Sequence, residues 1–216
     1  MAYRATEHTK NKQAETRSRL LQGAKTLVSE NGFRGLSIAN AAKSAGIATG
    51  TVYRYFPSKT ELCIAVFQWA TDREIEAVLE ATRSRQGARA QLRAGLETFI
   101  DRALQSPRLA YALIAEPVDP QLEQSRLQYR HRWAQHFSQI IETGIASGEF
   151  RNQPALVSAA ALVGAMAETI VFSLATENQA TIAQGKPLIN CQTRAAIIEF
   201  GLNGVRTTEV IQNDSR

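Results

Sequence analysis

One short segment, from Ser37 to Pro57, restricts the fold more than any other, because it reads as two helices joined by a tight turn. Ser37 is a good N-cap for the run IANAAKSA, whose apolar positions recur at three- and four-residue spacing. Gly46 tolerates the positive φ that ends a helix, and Ile47 can fill the space between two helices. Thr49 is expected to cap a second helix that stops at Pro57. The segment therefore predicts a helix-turn-helix.

The second helix of this motif has a packing face and a polar face. At about 100° per residue, Val52, Tyr55 and Phe56 fall on one side. A different side carries small and hydrogen-bonding residues, namely Thr49, Gly50, Tyr53 and Arg54. Such a face suits the major groove of DNA, where phosphates need donors and base edges need side chains that come close. An ordinary helical hairpin with polar side chains in solvent is the alternative.

Charge is distributed unevenly along the 216 residues, whose net charge is +5. Residues 1–60 contain ten Lys or Arg and three acidic residues, which gives this segment a net charge of +7. The remainder holds fifteen basic and seventeen acidic residues, a net charge of −2. A cationic N-terminal segment on a nearly neutral body is typical of a phosphate-binding module, since each neutralised phosphate releases counterions.

The stretch that begins at Asn31, NGFRGLSIANAAKSAGIATGTVYRYFPSKTEL, resembles the DNA-binding domain of the TetR family of bacterial regulators. The resemblance is strong over about residues 14–66. The features that carry it are Gly32-Phe33, the helix Ile38–Ala45, Gly46-Ile47, Gly50-Thr51-Val52-Tyr53 and Tyr55-Phe56-Pro57-Ser58-Lys59.

The resemblance also implies roles for single residues. It implies DNA backbone or groove contacts for Ser37, Thr49, Thr51, Tyr53, Tyr55 and Lys59. Ala48, Gly50 and Arg54 complete the candidate DNA-binding set, but they lie at positions that vary in this family. A base preference therefore does not follow from the resemblance.

The rest of the chain shows no strand alternation and predicts helices only. Ser58 followed by Glu61 is a capping box for a long fourth helix, and five further helices are expected after it. The predicted fold is all-α, with an N-terminal three-helix helix-turn-helix domain in residues 1–66. A C-terminal helical domain for ligand binding and dimerisation is expected in residues 67–216. Residues 1 to about 12 lack periodicity and are expected to form a loose basic arm.

The eighth predicted helix, about Ala155 to Thr176, is rich in alanine and contains Gly164, and such small side chains let helices approach closely. We expect it to form a homodimer interface together with the last helix, about Cys191 to Val205, as a four-helix bundle; the resemblance implies the same arrangement. Two recognition helices would then stand about 34–36 Å apart over a palindromic operator in double-stranded DNA.

Polar residues interrupt the apolar stripes of the predicted body. A cavity with aliphatic and aromatic walls and a few polar anchors would suit a small, largely apolar effector, uncharged or singly charged. Surface or inter-helix salt bridges are the alternative for each polar residue, including Glu116 and Arg130. The candidate effector-binding residues are Trp69, Phe99, Arg102, Tyr111, Tyr129, Trp133, Phe137 and Glu168.

Several classes of protein fit the sequence poorly. No apolar run reaches the roughly 18 residues of a membrane span, and the N-terminus lacks the apolar core of a signal peptide, so we expect a cytoplasmic protein without membrane contact. Cys63 and Cys191 have no Cys or His at ligand spacing and are expected to be packing residues. His131 and His136 lie about 140° apart on one helix, which suits no metal ion. Because no nucleophile elbow or phosphate-binding glycine loop is present, we expect no enzyme, cofactor or metal.

Together these features predict a ligand-responsive, DNA-binding transcriptional regulator. We expect a repressor that binds a palindromic operator as a homodimer and is released by a small, largely apolar effector. The alternative is a helical small-molecule binding protein without a DNA role. The +7 segment and the polar face of the second motif helix favour the regulator.

Overall fold

The structure, a computed structural model, describes residues 7–176 and 191–206. Over these residues the chain is helical, with one isolated antiparallel bridge between Phe150 and Arg206, so the all-α prediction is confirmed. The helices of the described part are α1 (Glu7–Gly35), α2 (Ile38–Ala45), α3 (Thr49–Val52), α4 (Lys59–Arg83), α5 (Ala88–Gln105), α6 (Pro107–Ile114), α7 (Pro120–Ala146), α8 (Ala155–Thr176) and α9 (Cys191–Asn203).

The described residues fall into two compact units. The first takes the residues up to Arg73 together with Ser106–Leu127, and the second takes Glu74–Gln105 and the residues from Gln128 onward. The functional division at residues 66 and 67 stays a prediction.

The first unit is built around α1, which packs against α2 and α6. One side of α1 is apolar at helical spacing, and its larger side chains meet those of the motif. The short helix α2 contributes alanines, which allow it to lie close to α1. The buried residues of this core include Leu20, Leu21, Ala24, Val28, Phe33, Leu36, Ile38, Ala41, Ala42, Val52 and Phe56.

The helix α1 begins earlier than the sequence analysis predicts. Residues 7–12, expected to be a loose arm, are already helical. Extending a nucleated helix by one turn costs little, so a polar turn needs no apolar stripe of its own. The helix is broken at Gly32, where φ is 68° and ψ is −178°. Residues 1–6 lie outside the described part.

The helices α8 and α9 agree with their predicted boundaries to within two residues. The Ser58 hydroxyl accepts from the N–H of Glu61 at 3.1 Å, as the capping box requires. Asp119 does the same for Leu122 at the start of α7. The expected loop at 177–190 and the tail after Arg206 lie outside the described residues.

In the second unit, α9 is tied to α5 by ion pairs as well as by apolar contacts. The guanidinium of Arg194 donates to both carboxylate oxygens of Asp101, at 2.6 and 2.7 Å. Arg93 on α5 pairs with Glu199 on α9 at 2.6 Å. The core of this unit includes Leu92, Leu96, Ile100, Phe137, Ile141, Met166, Ile198 and Leu202.

The helix α8 is unusually apolar for its exposure. Residues Ala155–Leu174 have a mean hydropathy of 1.9 over a length that could cross a membrane, and only 28% of this stretch is buried within the chain. Ser158 and Glu168 interrupt the apolar run of this helix, so run length alone does not indicate a membrane span. Composition alone therefore leaves both a membrane span and an uncovered interface helix open.

The two cysteines differ in environment. Cys63 is buried in the first unit, and burial raises the pKa of its thiol to about 11, so it is an unreactive packing residue. Cys191 is exposed at the start of α9, so the expectation that it is a packing residue is wrong for the chain by itself.

Candidate nucleic-acid interface

The first helix of the motif, α2, is capped at both ends as the sequence predicts. The hydroxyl of Ser37 accepts from the backbone N–H of Asn40 at 3.1 Å, which satisfies one free donor of the first turn. At the other end Gly46 adopts the left-handed conformation, with φ 65° and ψ 36°. Ile47 follows half-buried, and its N–H bonds to the carbonyl of Ala42 at 3.0 Å. These bonds fix the direction in which the chain enters α3.

The helix α3 and the turn after it present one polar surface to solvent. Val52 and Phe56 are 0% and 3% exposed and pack into the core, whereas Tyr53 is 51% exposed. Thr51 and Tyr55 lie half-buried at the edge of this surface. The remaining exposed residues of the candidate set here are Ala48, Thr49, Gly50 and Arg54.

The start of α3 differs from the prediction. The N-cap is Ala48, not Thr49, and no side chain caps this helix; Thr49 is its first residue. The extended backbone of Ala48 (φ −68°, ψ 144°) ends the turn one residue earlier than a threonine cap would require. Regular helix ends at Val52, and the N–H of Phe56 still bonds to the Val52 carbonyl at 2.9 Å. Thr49 thus has no capping role.

Gly50 is a glycine that the folded chain does not require. Its φ lies outside the positive region, and a Cβ built on it would meet no atom within 4 Å. Glycine inside a helix costs about 1 kcal/mol relative to alanine. Neither the backbone conformation nor the packing of the chain requires this loss of helix stability at Gly50. A glycine here is therefore consistent with close approach of a binding partner.

Lys59 extends the same surface toward the break in α1. Its Nζ donates to the backbone carbonyl of Arg34 at 3.5 Å, and both side chains are exposed. The hydroxyl of Ser37 accepts from Asn40 and keeps its own proton to donate. The first unit therefore carries two cations and a hydroxyl donor beside α3.

Two basic residues of this surface escaped the sequence analysis. The guanidinium of Arg17 lies 5.4 Å from the centre of the Phe56 ring, which places an exposed cation of α1 next to the end of the motif. Arg34 lies beside Lys59. Both residues contribute to the net charge of +7 of residues 1–60. The packing of α1 on the motif shows that these two cations lie next to it.

The candidate effector residues divide between the two units. Trp69 and Tyr111 belong to the first unit, and the other six belong to the second. Trp69 is half-buried under the guanidinium of Arg73, 3.3 Å from the ring centre, and Tyr111 is 36% exposed. No described contact joins the eight into one site, so an effector site made of all eight stays a prediction.

Three of the six form an aromatic cluster in the second unit. The rings of Phe99 and Trp133 meet edge to face with centroids 5.3 Å apart, and Trp133 stacks on Phe137 at 6.3 Å. Tyr129, one turn earlier on α7, is buried with the Arg132 guanidinium 4.5 Å from its ring centre. This part of the candidate set is apolar and aromatic.

The two charged candidates have other surroundings. Arg102 makes a bidentate ion pair with Glu74, and this hydrogen bonding raises the pKa of Arg102. Glu168 is exposed on α8. Among the residues that the structure describes, no group of three His, Cys, Asp or Glu side chains could hold a metal ion.

Comparisons with known proteins agree with this geometry. Residues 20–66 match the model of bacterial regulatory proteins of the TetR family. The HTH-type transcriptional activator FasR of Mycolicibacterium smegmatis is 32% identical over 102 residues, 47% of this chain and 46% of FasR. The HTH-type transcriptional repressor KstR2 of Rhodococcus jostii is 27% identical over 140 residues, 63% of this chain and 68% of KstR2. The match thus spans about half the length of FasR and about two thirds of KstR2.

The likeness in fold extends over nearly the whole chain. The structure of the transcriptional regulator FadR from Bacillus subtilis in complex with stearoyl-CoA superposes with a TM-score of 0.73 at 20% identity, covering 88% of this chain and 100% of that one. At this identity the likeness shows a shared fold, and the helix-turn-helix residues carry the family match. The family consists of transcription regulators and not of enzymes. Residues 20–66 of this chain thus match the TetR family of bacterial regulatory proteins, and the likeness beyond them is one of fold.

Proposed function

We propose that the chain is a ligand-responsive repressor that binds a palindromic operator as a homodimer. The observation that carries the proposal is the surface of α3, where Val52 and Phe56 are buried while Thr49, Gly50, Tyr53 and Arg54 face solvent. A recognition helix needs this separation, since one face must hold it to the domain and the other must enter the groove. Repression is supported by the similarity to KstR2, which is named a repressor, whereas FasR is named an activator.

The roles on this surface follow from reach and charge. Lys59, Ser37 and Thr51 donate to phosphates, which sets affinity and salt dependence. Gly50 allows the DNA backbone to approach α3. Tyr53 and Arg54, the long exposed side chains, reach into the groove, and Arg54 can read a base edge through its two-pronged guanidinium.

The homodimer interface lies on α8 and α9. The exposed face of α8 runs through Val157, Ala161, Gly164, Glu168 and Phe172, at three- and four-residue spacing. Val157 and Phe172 are 67% and 65% exposed, an apolar surface that a soluble monomer rarely leaves uncovered.

The neighbouring helix α9 adds to this surface. Phe200 on α9 is 69% exposed and borders a groove of about 260 Å³ between the two helices. A second copy would cover both helices with the same surface, as two-fold symmetry requires. The residues that line the groove are Leu162, Ala165, Met166, Thr169, Thr193, Ala196, Ile197 and Phe200.

This interface also accounts for the apolar character of α8 better than a membrane does. Glu168 would lie inside the hydrocarbon, at a cost of about 2.5–3.5 kcal/mol for a charged side chain at the centre of a span. A dimer interface, unlike the hydrocarbon, can admit water that hydrogen-bonds to this carboxylate. We therefore propose a cytoplasmic protein.

The proposed effector is an acyl-chain molecule bound beside the aromatic cluster of the second unit. Phe99, Trp133 and Phe137 offer apolar aromatic surface, which suits a long hydrocarbon chain. The stearoyl-CoA found with the FadR fold makes this thioester the first probe. Its headgroup carries several charges, so this proposal is wider than the singly charged effector expected from the sequence.

Selection from random duplex DNA tests the function directly. The protein should enrich a two-fold symmetric site whose half-sites are about one helical turn apart. Tyr53→Ala and Lys59→Ala proteins that remain folded should bind the selected site more weakly, and Lys59→Ala should lower the salt slope by about one. A protein that enriches no sequence while still binding stearoyl-CoA would support the alternative, a helical binding protein without a DNA role.

A further inference from the structure

The break in α1 is held by the buried carboxylate of Glu116, which lies just after α6 in the first unit. Oε2 of Glu116 accepts from the backbone N–H of Phe33 at 2.9 Å, and Oε1 accepts from that of Arg34 at 3.1 Å. Glu116 is only 6% exposed. Two consecutive amides thus share one buried carboxylate, and hydrogen bonds to a buried charged group are strong and costly to lose.

Gly32 makes this contact possible. Its φ of 68° turns the two following N–H groups toward Glu116, and a Cβ on it would lie 2.6 and 2.7 Å from the carboxylate oxygens. A side chain at position 32 would therefore displace the carboxylate and strain the backbone.

The backbone of Glu116 is held in turn from α7. Arg126, 5% exposed, donates to the carbonyl of Glu116 at 2.9 Å. It also donates to the carbonyls of Leu113 and Ala112, at 3.0 and 3.3 Å, and so caps the end of α6. The position of the Glu116 side chain thus depends on where α7 holds the end of α6.

On the other side, the same peptide segment meets the DNA-binding surface. The Arg34 carbonyl accepts from Nζ of Lys59, and Ser37, the cap of α2, follows three residues later. A continuous set of hydrogen bonds therefore runs from Arg126 through Glu116 and Arg34 to Lys59. All four residues lie in the first unit.

We propose that Glu116 is a positioning residue for operator binding, and that through Arg126 it makes operator affinity depend on the position of α7. The proposal rests on the proposed function, because it assigns a role in DNA binding. Burying a carboxylate costs desolvation free energy, which the hydrogen bonds that it accepts must offset. Because the segment held in this way also contacts Lys59, we assign the carboxylate a role in placing that cation.

A second glutamate provides a matched control. Glu149 accepts from the consecutive N–H groups of Ala88 and Arg89, at 2.9 and 3.0 Å, next to Gly87 with φ 83°. It uses the same bonding pattern in the second unit, remote in sequence from the DNA-binding residues. A purely structural role for both glutamates predicts that neither set of variants changes operator affinity or its salt slope in the folded fraction.

The experiment compares Glu116→Gln and Glu116→Ala with Glu149→Gln and Glu149→Ala, on the operator selected by the wild-type protein. Glu116→Gln should bind the operator about tenfold more weakly, the effect of one lost bond to a charged group. Its salt slope should fall by about one, because Lys59 leaves its phosphate. The Glu149 variants should keep wild-type affinity and slope in their folded fraction. Wild-type affinity and slope in the folded Glu116 variants would overturn the inference.

Hydrogen exchange of the wild-type protein decides the matter if the Glu116 variants fail to fold. The amides of Phe33 and Arg34 should exchange more slowly when operator is bound, while those of Ala88 and Arg89 should not change. Equal behaviour of the two pairs would refute the proposal. A wild-type protein that selects no operator would instead refute the proposed function, so the two failures are distinguishable.

Discussion

Oε1 of Glu149 lies 2.9 Å from the backbone nitrogen of Ala88, and this bond joins the chain after α7 to the first turn of α5. Hydrogen bonds from Arg89 and Ala88 hold the pKa of Glu149 below its ordinary value of 4.5. A carboxyl whose pKa is lower in the folded state stabilises the fold above its unfolded pKa, and this contribution disappears as the pH falls through the folded pKa.

The pH dependence of unfolding should reveal this contribution. Urea unfolding of wild-type and Glu149→Gln proteins should differ most at neutral pH, and the difference should shrink as the pH falls below 4.5. The carboxylate is exposed to solvent, so we expect a small effect. A difference that grows in acid would contradict the assignment.

Replacing Gly50 by alanine should separate DNA binding from stability. Because a Cβ at Gly50 meets no atom within 4 Å, Gly50→Ala should leave stability unchanged or raise it by up to about 1 kcal/mol. Operator affinity should fall, since the new methyl group would meet the DNA backbone. Gel shifts and thermal unfolding of the same preparation measure both effects.

Gly32→Ala is the control, because strain and the contact with Glu116 should destabilise the fold by about 1–3 kcal/mol. Undiminished operator affinity in Gly50→Ala would remove the argument for close approach.

The exposed phenylalanine of α9 should govern the oligomeric state. Phe200→Ser should shift the protein from dimer toward monomer in sedimentation, since it removes an apolar side chain that the second copy would cover. Tyr53→Ser is the matched control: Tyr53 is also an exposed aromatic residue, but it lies on α3. This variant should remain a dimer and lose operator affinity. Monomeric wild-type protein on its operator would rule out the symmetric arrangement.

Tryptophan emission can report on the effector site. In a Trp69→Phe protein the remaining Trp133 lies between Phe99 and Phe137, and stearoyl-CoA should change its fluorescence if the acyl chain binds there. The same ligand concentration should release operator, because effectors typically shift affinity by about 5- to 150-fold. A fluorescence change without release would separate binding from regulation. No change at saturating ligand would exclude this cluster as the acyl site.

The helix-turn-helix could be predicted closely because each of its features is local. Ser37 and Gly46 cap α2 through bonds within five residues, and the burial of Val52 follows from helical phase. The cap of α3 was placed one residue too late, since two adjacent residues, Ala48 and Thr49, can both end a turn and only packing selects between them.

The rest depends on contacts that are distant in sequence. Glu116 was recognised as a polar residue in an apolar stripe, but its partners lie 82 and 83 residues away. Helical phase predicts the face of the helix on which a side chain lies, but it does not identify the residues of other segments that contact this side chain. The same limit applies to Arg102, whose partner Glu74 is 28 residues distant, and to the effector residues as a set.

The contact between Gly32 and Glu116 also constrains the order in which the two positions can change. Asparagine and aspartate tolerate a positive φ better than other residues, so they are the easiest replacements for glycine on backbone grounds. At position 32 they would still collide with the carboxylate oxygens 2.6 and 2.7 Å from their Cβ. Gly32→Asn should therefore be far less harmful in a Glu116→Ala background than in the wild-type chain, which makes loss of the carboxylate the step that must come first.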